Sequence, residues 1–166
     1  MVPNYQMGVH YSRQALAAAR AAWKREGRRV VLTNGCYDIL HPGHIRLLEQ
    51  ARALGDVLIL ALNSDGSVAR LKGPRRPLIP EAERATLASQ LEAVDAVTLF
   101  DEDTPRELIA EVLPDVLVKG ADWSHFVAGR EEVEAAGGEV RLIPLEKGYS
   151  TTATVEEIVA RRRPAG

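Results

Sequence analysis

Cysteine is nearly missing from this chain of 166 residues: Cys36 stands alone. One thiol rules out an intrachain disulfide and fits a reducing compartment. Long apolar runs are missing too. None approaches the roughly eighteen residues that a membrane-spanning helix needs, and the opening MVPNYQMGVHYSRQ has no apolar core of the kind a signal peptide carries. A cytoplasmic protein with no membrane partner is expected. Charge of one sign is not in excess either. A net charge of −2 gives no general attraction to nucleic acid. Finally, two phosphate-binding signatures are absent. There is no GxxxxGKS or GxxxxGKT, and no GxGxxG follows the first predicted strand, so neither a P-loop nor a dinucleotide fold is indicated.

The length suits a single domain with a real core. The chain is read as one unit, 1–166, with a lead and helix over 1–28 and an α/β core over 29–163. The first dozen residues show no periodicity. Ser12 then caps a helix over RQALAAARAAWKRE that Gly27 stops. RVVLTNG, DVLILALN, AVTLF, DVLVKG and EVRLIP read as strands. Between them lie HIRLLEQARAL, EAERATLASQLEAV, ELIAEVL, GREEVEAAG and a terminal helix after KGYSTT, all helical in pattern. Pro42 and Gly43 open the first of these. Thr104-Pro105-Arg106-Glu107 reads as a capping box. Residues 64–80, polar and basic with three prolines, read as a functional loop with at most a helical turn. Strands alternating with helices predict an α/β fold: a Rossmann-like, doubly wound parallel sheet of about five strands with helices on both faces. Ligands in such sheets sit at the carboxyl ends of strands, which selects residues 33–44, 63–76, 119–126 and 146–152.

The first of these segments is the most loaded. TNGCYDILHPGH puts Gly35, where a backbone can approach a ligand, ahead of a helix start with free N–H groups. His41 and His44 lie one helical turn apart. Each can donate to phosphate oxygens without lysine's permanent charge, which suits an α-phosphate gaining charge in a transition state. Spacing alone also allows a metal pair, although no third ligand is near, or a purely structural turn. Cys36 is a nucleophile without an activating partner, or a buried structural thiol. Asp38 caps the turn, or holds a substrate hydroxyl or a basic side chain. At the other strand ends, Lys119-Gly120 offers a cation and a bare backbone, with Asp122 just beyond. Ser150-Thr151-Thr152 offers three hydroxyls at a helix start where capping needs one. Lys72, Arg75 and Arg76 are a solvated basic cluster or a clamp for an anionic second substrate.

His41-Pro42-Gly43-His44 resembles the HxGH signature of the nucleotidyltransferase superfamily, the "HIGH" box that it shares with class I aminoacyl-tRNA synthetases. From about Arg29 to Ala160 the chain is similar to the adenylyltransferase domain of bacterial ADP-heptose synthesis, through TNGCYDILHPGH, LNSDGSVARLKGPRRPLIP, DEDTPRELIAEVLPDVLVKGADW and GYSTTATVEEIV. That domain occurs fused behind a sugar kinase or alone, and the length here points to the stand-alone form. The resemblance implies transfer of AMP from ATP to D-glycero-β-D-manno-heptose 1-phosphate, with release of pyrophosphate, for lipopolysaccharide or another surface glycan. It implies His41, His44 and Lys72 as catalytic residues. Thr33, Asn34, Gly35, Cys36, Tyr37, Gly43, Lys119, Gly120, Asp122, Ser150, Thr151 and Thr152 would hold ATP. Asp38, Asn63, Asp65, Arg76 and Arg84 would hold the sugar phosphate. Mg²⁺ would bridge the phosphates with few or no protein ligands. Related enzymes imply a homodimer or higher homo-oligomer, working with a separate heptose 7-phosphate kinase and phosphatase. Tyr37 stands where phenylalanine is usual, and Thr154, Glu156 and Glu157 stand where apolar and basic residues often follow the hydroxyls. The alternatives are a cytidylyltransferase acting on glycerol 3-phosphate or a related alcohol phosphate, and a non-catalytic nucleotide-binding module.

Overall fold

The computed structural model describes residues 8–162; the start of the lead, 1–7, and the tail, 163–166, lie outside the described residues. The strands are β1 (Val9–His10), β2 (Val30–Gly35), β3 (Val57–Asn63), β4 (Ala96–Phe100), β5 (Val116–Gly120) and β6 (Glu139–Ile143). The helices are α1 (Arg13–Arg25), α2 (Pro42–Arg52), α3 (Asp65–Lys72), α4 (Glu81–Ser89), α5 (Arg106–Val112), α6 (Arg130–Ala135) and α7 (Thr151–Arg162). All strands pair in parallel, in the order β1-β4-β3-β2-β5-β6. No helix among the described residues is long and apolar enough to cross a membrane.

The alternating apolar residues of the central strands feed two cores. Val30, Leu32 and Ile59 meet Leu16, Leu108 and Ile109 of α1 and α5 on one face. Val31, Leu58 and Leu60 meet Leu48, Ala51 and Ala88 of α2 and α4 on the other. That is why β3 reads as an unbroken apolar run: every residue in it is buried. The chain steps outward from β2 to β3 and β4, then returns to add β5 and β6 on the other side of β2. Strand order therefore reverses between β2 and β5, and a crevice opens past Gly35 and Gly120, where such sheets bind ligands.

Register at the opposite edge is fixed by a repeated device. An aspartate stands directly ahead of each of three strands, in GDVLI, VDAVT and PDVLV. Each carboxylate accepts from a backbone N–H at the start of the neighbouring strand: Asp56 from Arg29 at 2.7 Å, Asp95 from Leu58 at 2.7 Å and Asp115 from Val30 at 2.8 Å. Asp115 also receives Arg20 Nη2 at 3.2 Å, which ties α1 to the strand.

The expected strands are all present, and β1 adds a sixth by pairing with the edge of β4; a two-residue strand is too short to carry a period. Two expectations need correction. Residues 65–72 form a true helix, nucleated by Ser64 Oγ, which accepts from Ser67 N at 3.1 Å. The Thr104 capping box does not form. Pro105 occupies the cap position with no side-chain cap, and Thr104 instead borders the crevice.

Asp115→Ala should cost about 2–3 kcal/mol, because it leaves the Val30 N–H and part of Arg20 without an acceptor inside the fold. Urea unfolding of the variant checks this; an unchanged midpoint would show that the strand start is satisfied by water.

Candidate active site

The crevice holds a cavity of about 650 Å³ bounded by the C-terminal ends of β2, β3 and β5 and the N-termini of α2 and α7. His41 is the N-cap of α2, and Pro42 is its first helical residue. The two histidines cap reciprocally. His41 Nδ1 accepts from His44 N, and His44 Nδ1 accepts from His41 N, both at 3.3 Å. An Nδ1 that accepts cannot carry the proton of a neutral ring, so in both rings Nε2–H is the remaining donor. The rings stack with centroids 3.7 Å apart. Burial holds His41 below the ordinary imidazole value. Burial, with the repulsion a charged His41 would add, lowers His44 to about 4. Both histidines are neutral donors at pH 7.

Tyr37 sits beneath His44, with ring centroids 4.6 Å apart. Its backbone is left-handed, φ 48°, a conformation that costs a non-glycine residue roughly 1–2 kcal/mol and tends to persist at functional sites. Gly35 makes room for it: a Cβ there would lie 2.8 Å from the Tyr37 ring. Gly35 also borders the cavity.

The basic loop is held from below. Asp38, whose side chain is 1% exposed, accepts from Arg76 Nε at 2.7 Å, Leu78 N at 2.9 Å and Ile79 N at 2.8 Å. Burial raises its pKa, but the two backbone N–H groups and Arg76 outweigh that and hold it below the usual carboxylate range. Asp38 thus serves Arg76 and the loop, and a sugar hydroxyl finds little of it left. Arg76 and Lys72, the last residue of α3, border the cavity; Arg75 does not.

Arg84 and Asp65 also lie outside the cavity lining, which corrects their expected contact with substrate. The Arg84 side chain is 0% exposed. It donates to the carbonyls of Cys36 at 2.7 Å, Asn63 at 2.8 Å and Ile79 at 2.9 Å, and to Asp65 at 2.9 Å. It binds the ends of β2 and β3 to the basic loop. Asn63 borders the cavity, but its amide donates to Ser67 Oγ at 3.0 Å. Thr33 donates its hydroxyl proton to Val118 O at 3.0 Å, bridging β2 to β5. Asn34 Oδ1 is buried with no hydrogen-bond partner among the described residues.

At the end of β5, Lys119, Gly120 and Asp122 border the cavity. Burial lowers Lys119 to about 8, partly offset by Asp122. Cys36 borders the same space, and burial raises its thiol above the ordinary value against the pull of Lys72, Arg84 and Arg76. Across the cavity the three hydroxyls divide their work. Ser150 Oγ accepts from Ala153 N at 3.3 Å, leaving its own proton to donate. Thr151 donates to Ile39 O at 3.1 Å. Thr152 borders the cavity and is exposed. Sequence reasoning missed Phe126, Leu145 and Tyr149, which line the cavity with largely exposed apolar surface. Their place just past β5 and β6 was the one signal available.

The arrangement can bind a polyanion. Two neutral ring donors and two helix N-termini share one cavity with Lys72, Arg76 and Lys119, and phosphate oxygens suit all of them.

Comparison with known proteins agrees. The chain is 54% identical over 148 residues to the bifunctional protein HldE of Acidiphilium cryptum, covering 89% of this chain and 30% of that protein. It is 52% identical over 151 residues to the HldE of Trichlorobacter lovleyi, covering 90% and 31%. The chain thus spans about a third of the length of the curated relatives it matches. Among solved structures, the lipopolysaccharide core biosynthesis protein of Thermoplasma volcanium is similar at TM-score 0.60 and 32% identity, over 75% of this chain and all of that one. Pantoate-beta-alanine ligase of Francisella tularensis shares the fold at TM-score 0.66 and 13% identity, over 93% of this chain and 77% of that one. Residues 32–157, which hold both imidazoles, the basic loop and the hydroxyl triplet, match the cytidylyltransferase-like family, and the chain belongs to that family.

Proposed function

We propose that this chain is a nucleotidyltransferase that moves AMP from ATP to D-glycero-β-D-manno-heptose 1-phosphate, giving ADP-heptose and pyrophosphate for a surface glycan. The observation that carries the chemistry is the reciprocal cap of His41 and His44, which leaves two neutral Nε2–H donors at a helix N-terminus bordering a polyanion-sized cavity. The choice of sugar and nucleotide rests on the relatives named above and on the matching of LKGPRRP and KGADW.

In this reading a phosphate oxygen of the sugar 1-phosphate attacks the α-phosphorus of ATP, and the bond to the β-phosphate oxygen breaks as pyrophosphate leaves. No covalent enzyme intermediate forms. A phosphate monoester is already ionised at neutral pH, so no general base is needed. The chain supplies position and charge stabilisation. His41 and His44 donate to the triphosphate, with His44 serving the oxygen that gains charge. Ser150 and Thr152 donate to the distal phosphates at the N-terminus of α7. Lys72 and Arg76 meet the anionic acceptor, and Lys119 and Asp122 border the nucleoside. Mg²⁺ supplies further neutralisation when bound with the nucleotide. Among the described residues no three His, Cys, Asp or Glu side chains are grouped to hold a metal.

The direct test is pyrophosphate release with four nucleoside triphosphates against heptose 1-phosphate and glycerol 3-phosphate. Release with ATP and the heptose substrate is expected. Release only with CTP and glycerol 3-phosphate would overturn the proposal, and nucleotide binding without any release would mark a binding module instead.

His44→Ala should lower kcat by roughly 10²–10³, the loss typical of one preorganised donor, with circular dichroism unchanged. Turnover at the wild-type rate would remove His44 from the chemistry.

The same ring should titrate near pH 4 in the folded protein, against about 6.5 unfolded. The folded ring therefore stays neutral while the unfolded ring takes a proton, so this group lowers stability as pH falls from about 6.5 toward 4. Its contribution levels off only about one unit above the unfolded value, near pH 7.5. An NMR titration of the His44 Hε1 resonance checks the value; a midpoint above 7 would make the donor mainly a cation at neutral pH.

A further inference from the structure

Tyr149 lies outside every assignment made so far, although it stands next to the hydroxyl triplet. Its ring stacks on His41 with centroids 5.7 Å apart and planes 17° from parallel. His41 stacks on His44, and His44 packs against Tyr37 with the planes tilted by 38°. Four rings thus form one column. Tyr37, buried at one end, is fixed by the core; Tyr149, 41% exposed, closes the other.

The segment carrying Tyr149 is fastened across the start of α2. Glu146 pairs with Arg46 of α2, and Thr151 donates to Ile39 O. Gly43 permits the closeness: a Cβ there would stand 3.1 Å from both the His41 ring and Tyr149 Cβ. The side chain that comes down over His41 therefore belongs to the segment that leads into Ser150–Thr152.

We propose that Tyr149 is a positioning residue. Its ring covers the outer face of His41, holds that imidazole in the orientation its cap requires, and couples the hydroxyl triplet to the paired donors. The inference builds on the adenylyl-transfer reading but is separable from it. His41 sits between two rings, His44 and Tyr149, and the charged groups on the fastening segment, Arg46 and Glu146, are paired with each other. Taking Tyr149 away exposes one face of His41 without altering a charge. The ring is then rehydrated, and its titration moves up toward the ordinary imidazole value.

The test is Y149A against Y149F, with two readouts. In the full chain without substrate, NMR titration of His41 Hε1 should move up in Y149A and stay near wild type in Y149F, while the His44 midpoint shifts less. In the pyrophosphate-release assay, Y149A should lose about tenfold in kcat, below the range of a lost donor because the donor is misaligned rather than removed. KM for the sugar phosphate should hold within about twofold, and Y149F should recover most of the lost kcat. An unmoved His41 titration in Y149A, or Y149F as impaired as Y149A, would overturn the proposal. If the wild type releases no pyrophosphate, the activity reading fails, while the titration still decides the role of Tyr149.

Discussion

The reciprocal hydrogen bonds between His41 and His44 constrain the site more than any other interaction in the molecule. A helix start leaves backbone N–H groups without partners inside the helix. Serine, threonine or aspartate would satisfy them as well. Histidine does so with one nitrogen and keeps another, so the cap that starts α2 also selects the tautomer of the groups facing the cavity. Proton position, ring orientation and helix start become a single decision. Protonating either Nδ1 would break a cap, so the fold resists turning these donors into cations.

Behind that pair lies a second layer of buried charge, of which Arg84 lies outside the cavity lining and Asp38 borders it. Arg84 draws three carbonyls and Asp65 together, and Asp38 takes the loop amides and Arg76. Each is a buried charge made tolerable by saturating its hydrogen bonds, the condition under which a buried ion holds structure instead of weakening it. Between them they bring the ends of β2 and β3 and the 73–80 loop to fixed positions, so Arg76 reaches the cavity on an anchored stem. A cation meant to meet a mobile phosphate loses less entropy on binding when its reach is set in advance.

The sequence announced some of this and hid the rest, for reasons that differ by residue. His41 and His44 were readable because a three-residue spacing that spans Pro42 and Gly43 points to a helix start. The doubly wound sheet was readable because β-branched and amphipathic runs alternate along the chain. Arg84 and Asp65 were misread because a motif match says that a residue belongs to the site, and the direction of its side chain is a tertiary fact. That the missing Cβ of Gly35 makes room for Tyr37 was hidden, because the contact needs the left-handed turn to exist. β1 went unseen because two residues carry no period. Tyr149 sat inside a segment already selected by the strand-end rule, but nothing local says that a tyrosine there comes down on a histidine more than a hundred positions away.

Neutral imidazoles suit this cavity better than further lysines would. Lys72, Arg76 and Lys119 already border it, and Lys119, buried, is shifted down to about 8. Two more permanent cations 3.7 Å apart would repel each other, and they would bind the ground-state triphosphate as tightly as its transition state. Uniform tightening of that kind lowers KM without raising kcat. A neutral N–H donor at a fixed place pulls hardest on the oxygen whose charge is growing. The contacts of Tyr37, His44, His41 and Tyr149 shield both rings in part from water, and the caps keep both protons on Nε2, so in the proposed transfer the site holds donors whose pull strengthens as charge grows.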